Sequence, residues 1–159
     1  MSVPYSCKLT VPSHWIDGNG HMHDAQYLEA FNQGVEAFFG YLDLNAGAEE
    51  DHMIFNLGLN MDFHAELFEG DAIRLELRIV DRDYKRLHLY SEMFNAQTGV
   101  LCATLDRLFM NISRETRRST PFLPHIMQRI ETVAVLHAEL EKPPGLGRSL
   151  GIRHPSGTG

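Results

Sequence analysis

The sequence predicts an α+β domain in which one long apolar helix is covered by an antiparallel sheet of five strands. Three observations predict it: a period-two alternation near the N-terminus, a stretch from Asp24 whose apolar residues fall three and four apart, and a return to alternation between Met53 and Ile112 with short links. A helix this apolar has to be buried, and the sheet that follows it is the available surface.

Tyr5, Cys7, Leu9 and Val11, separated by Ser6, Lys8 and Thr10, make the first strand, half-buried and ending at Pro12. A loop over 13–23 follows. Asp24 is the expected N-cap of a helix about five turns long, whose face is Leu28, Phe31, Val35, Phe38, Phe39 and Leu42 and whose stop falls near Asn45-Ala46-Gly47. After the acidic stretch Glu49, Glu50, Asp51, a long strand alternates Met53, Phe55, Leu57, Leu59, Met61 and Phe63 with polar residues. Glu69-Gly70-Asp71 then reads as a turn into Ile73, Leu75, Leu77 and Ile79, and Asp81-Arg82-Asp83 as the next turn. Two more strands, over 86–96 and 100–112, complete what the short links predict to be an antiparallel meander. Pro124 opens a second amphipathic helix through Ile126, Ile130, Val133 and His137. The expected division is a domain over 1–141 and an irregular tail over 142–159, where the chain reads Pro-Pro-Gly-Leu-Gly and ends Ser-Gly-Thr-Gly.

A length of 159 residues with 43% hydrophobic content suits one domain with a real core. Fourteen lysines and arginines against 21 aspartates and glutamates give a net charge of -7, the wrong sign for a general binder of nucleic-acid backbones. No apolar run is long enough to span a membrane, and the N-terminus lacks the pattern of a signal peptide, so the expected location is cytoplasmic. Cys7 and Cys102 sit in alternating patterns as small hydrophobes. Unpaired edge strands lead us to expect at least a homodimer joined edge to edge, with a homotetramer open.

The chemistry concentrates in the segment from His14 to Leu28, ahead of the long helix. Asp17-Gly18-Asn19-Gly20 by itself is a turn signal. Its position gives it weight, because it leads into a helix N-terminus, where unpaired amides and the positive end of the helix dipole can hold a developing oxyanion. The string Asp17-Gly18-Asn19-Gly20-His21-Met22, followed by Tyr27-Leu28, resembles the motif of hotdog-fold acyl-CoA thioesterases of the 4-hydroxybenzoyl-CoA thioesterase type, across the whole order of elements. With Trp15-Ile16 before it and Asp83-Tyr84-Lys85-Arg86-Leu87-His88-Leu89 later, it is most similar to the betainyl-CoA thioesterases of carnitine degradation.

That resemblance implies a hotdog fold, no cofactor, an acyl-CoA substrate and a catalytic carboxylate at Asp17, three residues before Gly20. It also implies an oxyanion donor at the backbone N–H of Asp24, while the chain has His23 and Asp24 where the family often has Asn. Asp17 either adds to the thioester carbonyl or deprotonates a water held by a neighbour such as Asn19, with His21 ordering the loop. Asn60 and His64 are further candidates on the long strand, with ordinary interface positions as the alternative. For a trimethylammonium acyl group, Trp15, Tyr27 and Phe63 are candidate aromatic faces, with core packing as the other reading. The CoA phosphates call for a basic cluster, either Arg82, Lys85 and Arg86 or Arg114, Arg117 and Arg118, unless these are solvated faces.

His14, His21 and His23 lack a further ligand at standard spacing, which argues against a metal. Gly18-x-Gly20 lacks the third glycine and following unit of a dinucleotide site, and no Gly-x-Ser-x-Gly is present. Two rivals to the thioesterase stay open: an acyl-CoA hydratase or dehydratase using His21 with Asp17, and a non-catalytic acyl-CoA binding module.

Overall fold

The computed structural model describes residues 3–44, 50–148 and 150. Helix α1 (Asp24–Tyr41) follows strand β1 (Tyr5–Thr10) and a single 3₁₀ turn (Ser13–Trp15). Strands β2 (Met53–Phe63), β3 (Ala72–Arg82), β4 (Arg86–Asn95) and β5 (Leu101–Ile112) come next, then α2 (Pro124–His137). The strands form one antiparallel sheet in the order β1-β3-β4-β5-β2. This is the wrapped-helix arrangement that the hotdog resemblance implies.

The sheet corrects one expectation. β3, β4 and β5 are a meander, but β2 pairs with β5 at the far edge, with Phe63 opposite Ala103 and Met53 opposite Ile112. Glu69-Gly70-Asp71 therefore closes a crossover over 64–71 between the two edges rather than a hairpin. The reason is burial: with β2 at one edge and β1 at the other, the meander lies centrally over α1, whose residues from Tyr27 to Phe39 face Ile73, Leu75, Leu77, Leu89 and Leu105 in one core. Contact is tightest at Gly34, where a Cβ would stand 2.7 Å from Leu75 Cδ1.

Both ends of α1 also differ from expectation. His23, not Asp24, is the N-cap: its Nδ1 accepts from the Ala25 N–H at 3.2 Å, and Asp24 is the first helical residue. The helix closes at Asp43, which takes the left-handed φ of 59° that glycine was expected to supply. The Leu44 N–H donates to the Phe39 carbonyl and the Asp43 N–H to the Gly40 carbonyl, the double closure of a Schellman turn. The expected stop at Asn45-Ala46-Gly47 lies outside the described residues.

Beyond α2 the chain crosses the outer face of the sheet, the one turned away from α1. Arg78 on β3 donates to the Glu141 carbonyl at 2.6 Å, the Gly147 N–H donates to Asp106 Oδ2 on β5 at 3.0 Å, and Asn60 on β2 donates to the Arg148 carbonyl at 2.6 Å. Gly145 passes so near Tyr90 that a Cβ there would be 2.7 Å from the phenol oxygen. Of the expected tail, residues 149 and 151–159 lie outside the description. Among the described residues no helix is long and apolar enough to cross a membrane.

His137 anchors α2 to the sheet. Its Nδ1 accepts from the Ile79 N–H at 2.9 Å, at the register shift where β3 loses a regular partner. Burial, with Arg78 nearby, lowers its pKa from 6.5 to about 4, so the folded protein keeps the ring neutral. The unfolded chain binds the extra proton between those two values. Stability from this group is thus complete above about 6.5 and is lost as pH falls towards about 4. Denaturant titrations across this window should show a stability loss that shrinks in His137→Gln, and equal slopes would remove His137 from the acid limb.

Candidate active site

The loop after β1 folds back on itself. Ile16 bridges Met22, the Asp17 N–H donates to the His21 carbonyl at 3.0 Å, and Gly20 takes a left-handed φ of 85° as its N–H donates to the Asp17 carbonyl at 3.1 Å. Glycine is needed at Gly20 for this conformation. The Asp17 side chain is 20% exposed, and its Oδ1 accepts the Asn19 N–H at 2.8 Å. His21 Nδ1 stands 3.7 Å from the other carboxylate oxygen, and His21 Nε2 lies 3.9 Å from Glu66 Oε1. The loop is tied to the body by Met22 N–H to the Leu67 carbonyl and His23 N–H to the Trp15 carbonyl.

The result is a cleft of about 540 Å³ lined by Asp17, His21 to Asp24, Tyr27 and the 63–66 segment. It lies at the N-terminus of α1. His23 and Asp24 side chains satisfy the Ala25 N–H, and no acceptor among the described residues meets the N–H of Asp24. A carboxylate and an unpaired helix-terminal amide thus share one cavity, the pair that a carbonyl under attack requires. Tyr27 and Phe63 form an edge-to-face wall, with ring centres 5.3 Å apart at 85°. Among the described residues three carboxylates, Asp17, Asp24 and Glu66, line the cleft, and no lysine or arginine does.

Of the residues singled out in the sequence, Asp17, His21, Asp24, Tyr27, Phe63 and His64 are brought together here, with Asn19 and Gly20 shaping the turn. Five others lie elsewhere. Trp15 is core, 6% exposed and absent from the lining. Asn60 points to the outer face and holds the Arg148 carbonyl. Arg82, Lys85 and Arg86 sit at the opposite end of the sheet: β3 begins at Ala72, beside Thr10 and the loop, and runs eleven residues to Arg82, about 33 Å away. Arg82 and Arg86 are also neutralised there, by Glu131 and Asp83 at 2.6 Å each. Glu66 was not foreseen. It reaches the cleft through the crossover, and no local pattern marks it. His64 extends to Thr104 Oγ1 at 3.4 Å, joining the cleft to the outer face.

A model of the family described as "Thioesterase-like superfamily" matches residues 11–130, which contain the loop, α1, the four strands of the β2–β5 run and most of the structure around the cleft. The chain belongs to the thioesterase-like superfamily. It is an acyl-CoA thioester hydrolase with the hotdog fold. Among curated relatives of this family, a betainyl-CoA thioesterase of Pseudomonas aeruginosa is 29% identical over 140 residues, 87% of this chain and 88% of that protein. A fused L-carnitine dehydrogenase/betainyl-CoA thioesterase of Ruegeria pomeroyi is 30% identical over 151 residues, and the chain spans only 29% of its length. Among solved structures, a hypothetical protein of Staphylococcus aureus in complex with CoA superposes with a TM-score of 0.86 at 31% identity, covering 93% of this chain and 94% of that one. A 1,4-dihydroxy-2-naphthoyl-CoA thioesterase of Synechocystis shares the fold, with a TM-score of 0.71 at 21% identity over 87% of this chain and 98% of that one.

Tyr27 holds the cleft's two walls together. Its hydroxyl donates to the Ala65 carbonyl and accepts from the Leu67 N–H, both at 3.2 Å, tying α1 to the crossover that carries Glu66. Burial lifts the Tyr27 phenol above its ordinary value, so it stays a donor through neutral pH. Tyr27→Phe strands both backbone groups and is expected to cost about 1–3 kcal/mol, read as a lower melting temperature. An unchanged melting temperature would show that the crossover is held by other contacts.

Proposed function

We propose that the protein hydrolyses betainyl-CoA to glycine betaine and CoA, with Asp17 as nucleophile or general base and the Asp24 N–H as oxyanion donor. The observation that carries the catalytic assignment is the pairing, in one cleft, of the Asp17 carboxylate with an unpaired amide at the first turn of an 18-residue helix. In the reaction the carbonyl carbon gains an oxygen from Asp17 or from water, the C–S bond breaks, and the thiolate leaves with its electron pair; on the first route water then cleaves the acyl anhydride and restores the Asp17 carboxylate, and on the second Asp17 takes the proton of the attacking water. The cationic acyl group is supported by the cleft's charge. Asp17, Asp24 and Glu66 set a negative field with no lysine or arginine in the lining among the described residues, and Tyr27 and Phe63 present aromatic surface. Similarity to the betainyl-CoA thioesterase of Pseudomonas aeruginosa supports the same substrate.

Thiol release from betainyl, short aliphatic, long aliphatic and hydroxybenzoyl CoA esters tests this. Betainyl-CoA should be preferred, and Asp17→Asn should lower its kcat about 10²- to 10⁴-fold. Equal rates on neutral chains of the same size would remove the cationic substrate. No release from any ester would turn attention to His21 beside Asp17 as a hydratase pair, assayed on enoyl-CoA.

We further propose a homodimer formed by pairing β2 with its copy. β2 is an edge strand of eleven residues, and Phe55, Leu57, Leu59 and Phe63 on it are 46–51% exposed. An apolar edge of this length is an open template, and a second copy paired antiparallel closes both edges at once. Sedimentation should give a dimer for the wild type and a monomer for Leu59→Asp, whose carboxylate would be buried in that joint. A dimer that survives the substitution would move the interface elsewhere.

A further inference from the structure

Arg74, Arg78, Arg82, Arg86, Arg129 and Arg148 each pair with a carboxylate. Arg107, the buried arginine at 7% exposure, has no carboxylate partner among the described residues. It shares the face of β5 that carries Ala103, Leu105 and Phe109 into the core, with its guanidinium 4.9 Å from the centre of the Phe109 ring. Nε donates to Asn56 Oδ1 at 2.5 Å and Nη1 to Asn32 Oδ1 at 2.7 Å, both neutral acceptors, and Nη2 meets no acceptor among the described residues. Burial pulls the Arg107 pKa below the ordinary arginine value, yet a guanidinium stays protonated in a protein. One subunit by itself therefore holds a desolvated positive charge with no negative charge beside it, a costly arrangement.

The place of Arg107 in the fold indicates what can cancel this charge. Its neighbour in the sheet is Leu59 of the edge strand β2, and its two amide partners lie on β2 and α1, so the guanidinium stands just inside the seam where a second copy joins. α1 and β2 run antiparallel: Tyr27 packs on Phe63 at one end, and Phe39 packs at the other on Phe109, the sheet partner of Asn56. The level of Gly58, the middle residue of β2, thus falls about five-sevenths of the way from Tyr27 to Phe39, at Val35 and Glu36. Val35 is buried and Glu36 is exposed. A twofold axis through the middle of β2 lays the two α1 helices antiparallel on one face of the joined sheet. Glu36 of each helix then stands beside the axis, at the level where the partner's guanidinium lies between Asn32 and Asn56.

We propose that Glu36 of each subunit neutralises Arg107 of the other, so that two reciprocal ion pairs about the twofold axis close the seam from the α1 side while β2 closes it along the sheet. The occupant of this face is a second copy of the chain, chosen by charge: a buried cation meets an exposed carboxylate at the same level of the helix. This rests on the β2 pairing proposed above and is independent of the acyl-CoA reading.

The test is a charge swap between subunits, read as the dimer dissociation constant by sedimentation. Glu36→Arg alters an exposed side chain and sets like charges at both junctions, so its dissociation constant should rise at least about thirtyfold. Arg107→Glu should weaken the dimer in the same way, with acids in place of bases. Mixed in equal amounts, the two variants rebuild both junctions only if the pair is formed in trans: Arg107 of one subunit meets the unchanged Glu36 of the other, and the introduced acid meets the introduced base. A heterodimer close to wild-type affinity is expected, and a mixture as weak as its parents overturns the proposal. If Arg107→Glu fails to fold by circular dichroism, Glu36→Arg/Arg107→Gln replaces it. That chain has lost the like-charge clash and should dimerise more tightly than Glu36→Arg alone, and no recovery overturns the ion pair. A wild type that is monomeric at every concentration removes the β2 pairing itself. A wild-type dimer that Leu59→Asp breaks and Glu36→Arg leaves unchanged keeps the β2 pairing and removes only the ion pair.

Discussion

Burial of α1 sets the terms for the rest of the molecule. Its apolar stripe from Tyr27 to Phe39 is too broad for two or three strands to cover, and the sheet closes over it with Ile73, Leu75 and Leu77 at 0% exposure. Gly34 lets the helix axis approach the sheet at Leu75, and the wrap of the strands follows from that close approach. Once α1 is held, its N-terminus is held, and with it the first turn, where the Asp24 N–H meets no acceptor among the described residues. The reactive loop needs little of its own to be rigid, because it is stitched to the helix start at His23 and to the crossover at Leu67.

How much of this was legible in the sequence depended on whether the information was local. α1 and the long strands were readable because their periods run over many residues, and Pro124 marked the start of α2 as expected. The place of β2 was not readable. A short link between two strands suggests a hairpin, and only the need to cover α1 sends β2 to the other side of β5. Cap positions slipped by a residue or more because His23 and Asp43 performed tasks for which Asp24 and a glycine looked better suited. At the site, residues 17 to 24 could be read together because they are contiguous. Glu66 could not, and neither could the neutralisation of Arg82 by Glu131, 49 positions away.

Charge is distributed unevenly for a reason that the cleft makes visible. The chain is acidic overall and three carboxylates line the cleft, so the cationic acyl group proposed above would be attracted there while the CoA phosphates would be repelled.

The register of the sheet also bears on how the protein reaches this state. β3, β4 and β5 pair with their sequence neighbours, while β1 joins β3 across Tyr5 and Leu77, and β2 joins β5 across Met53 and Ile112. Closing the central hairpins requires only short loops, whereas each edge must bring together segments separated by dozens of residues, with α1 in the intervening chain for one of them. The edges are also what the cleft is built on, through the loop leaving β1 and the crossover leaving β2. The cleft is thus assembled on the joints with the greatest chain-closure entropy, and local opening there would cost the cleft before it cost the central meander.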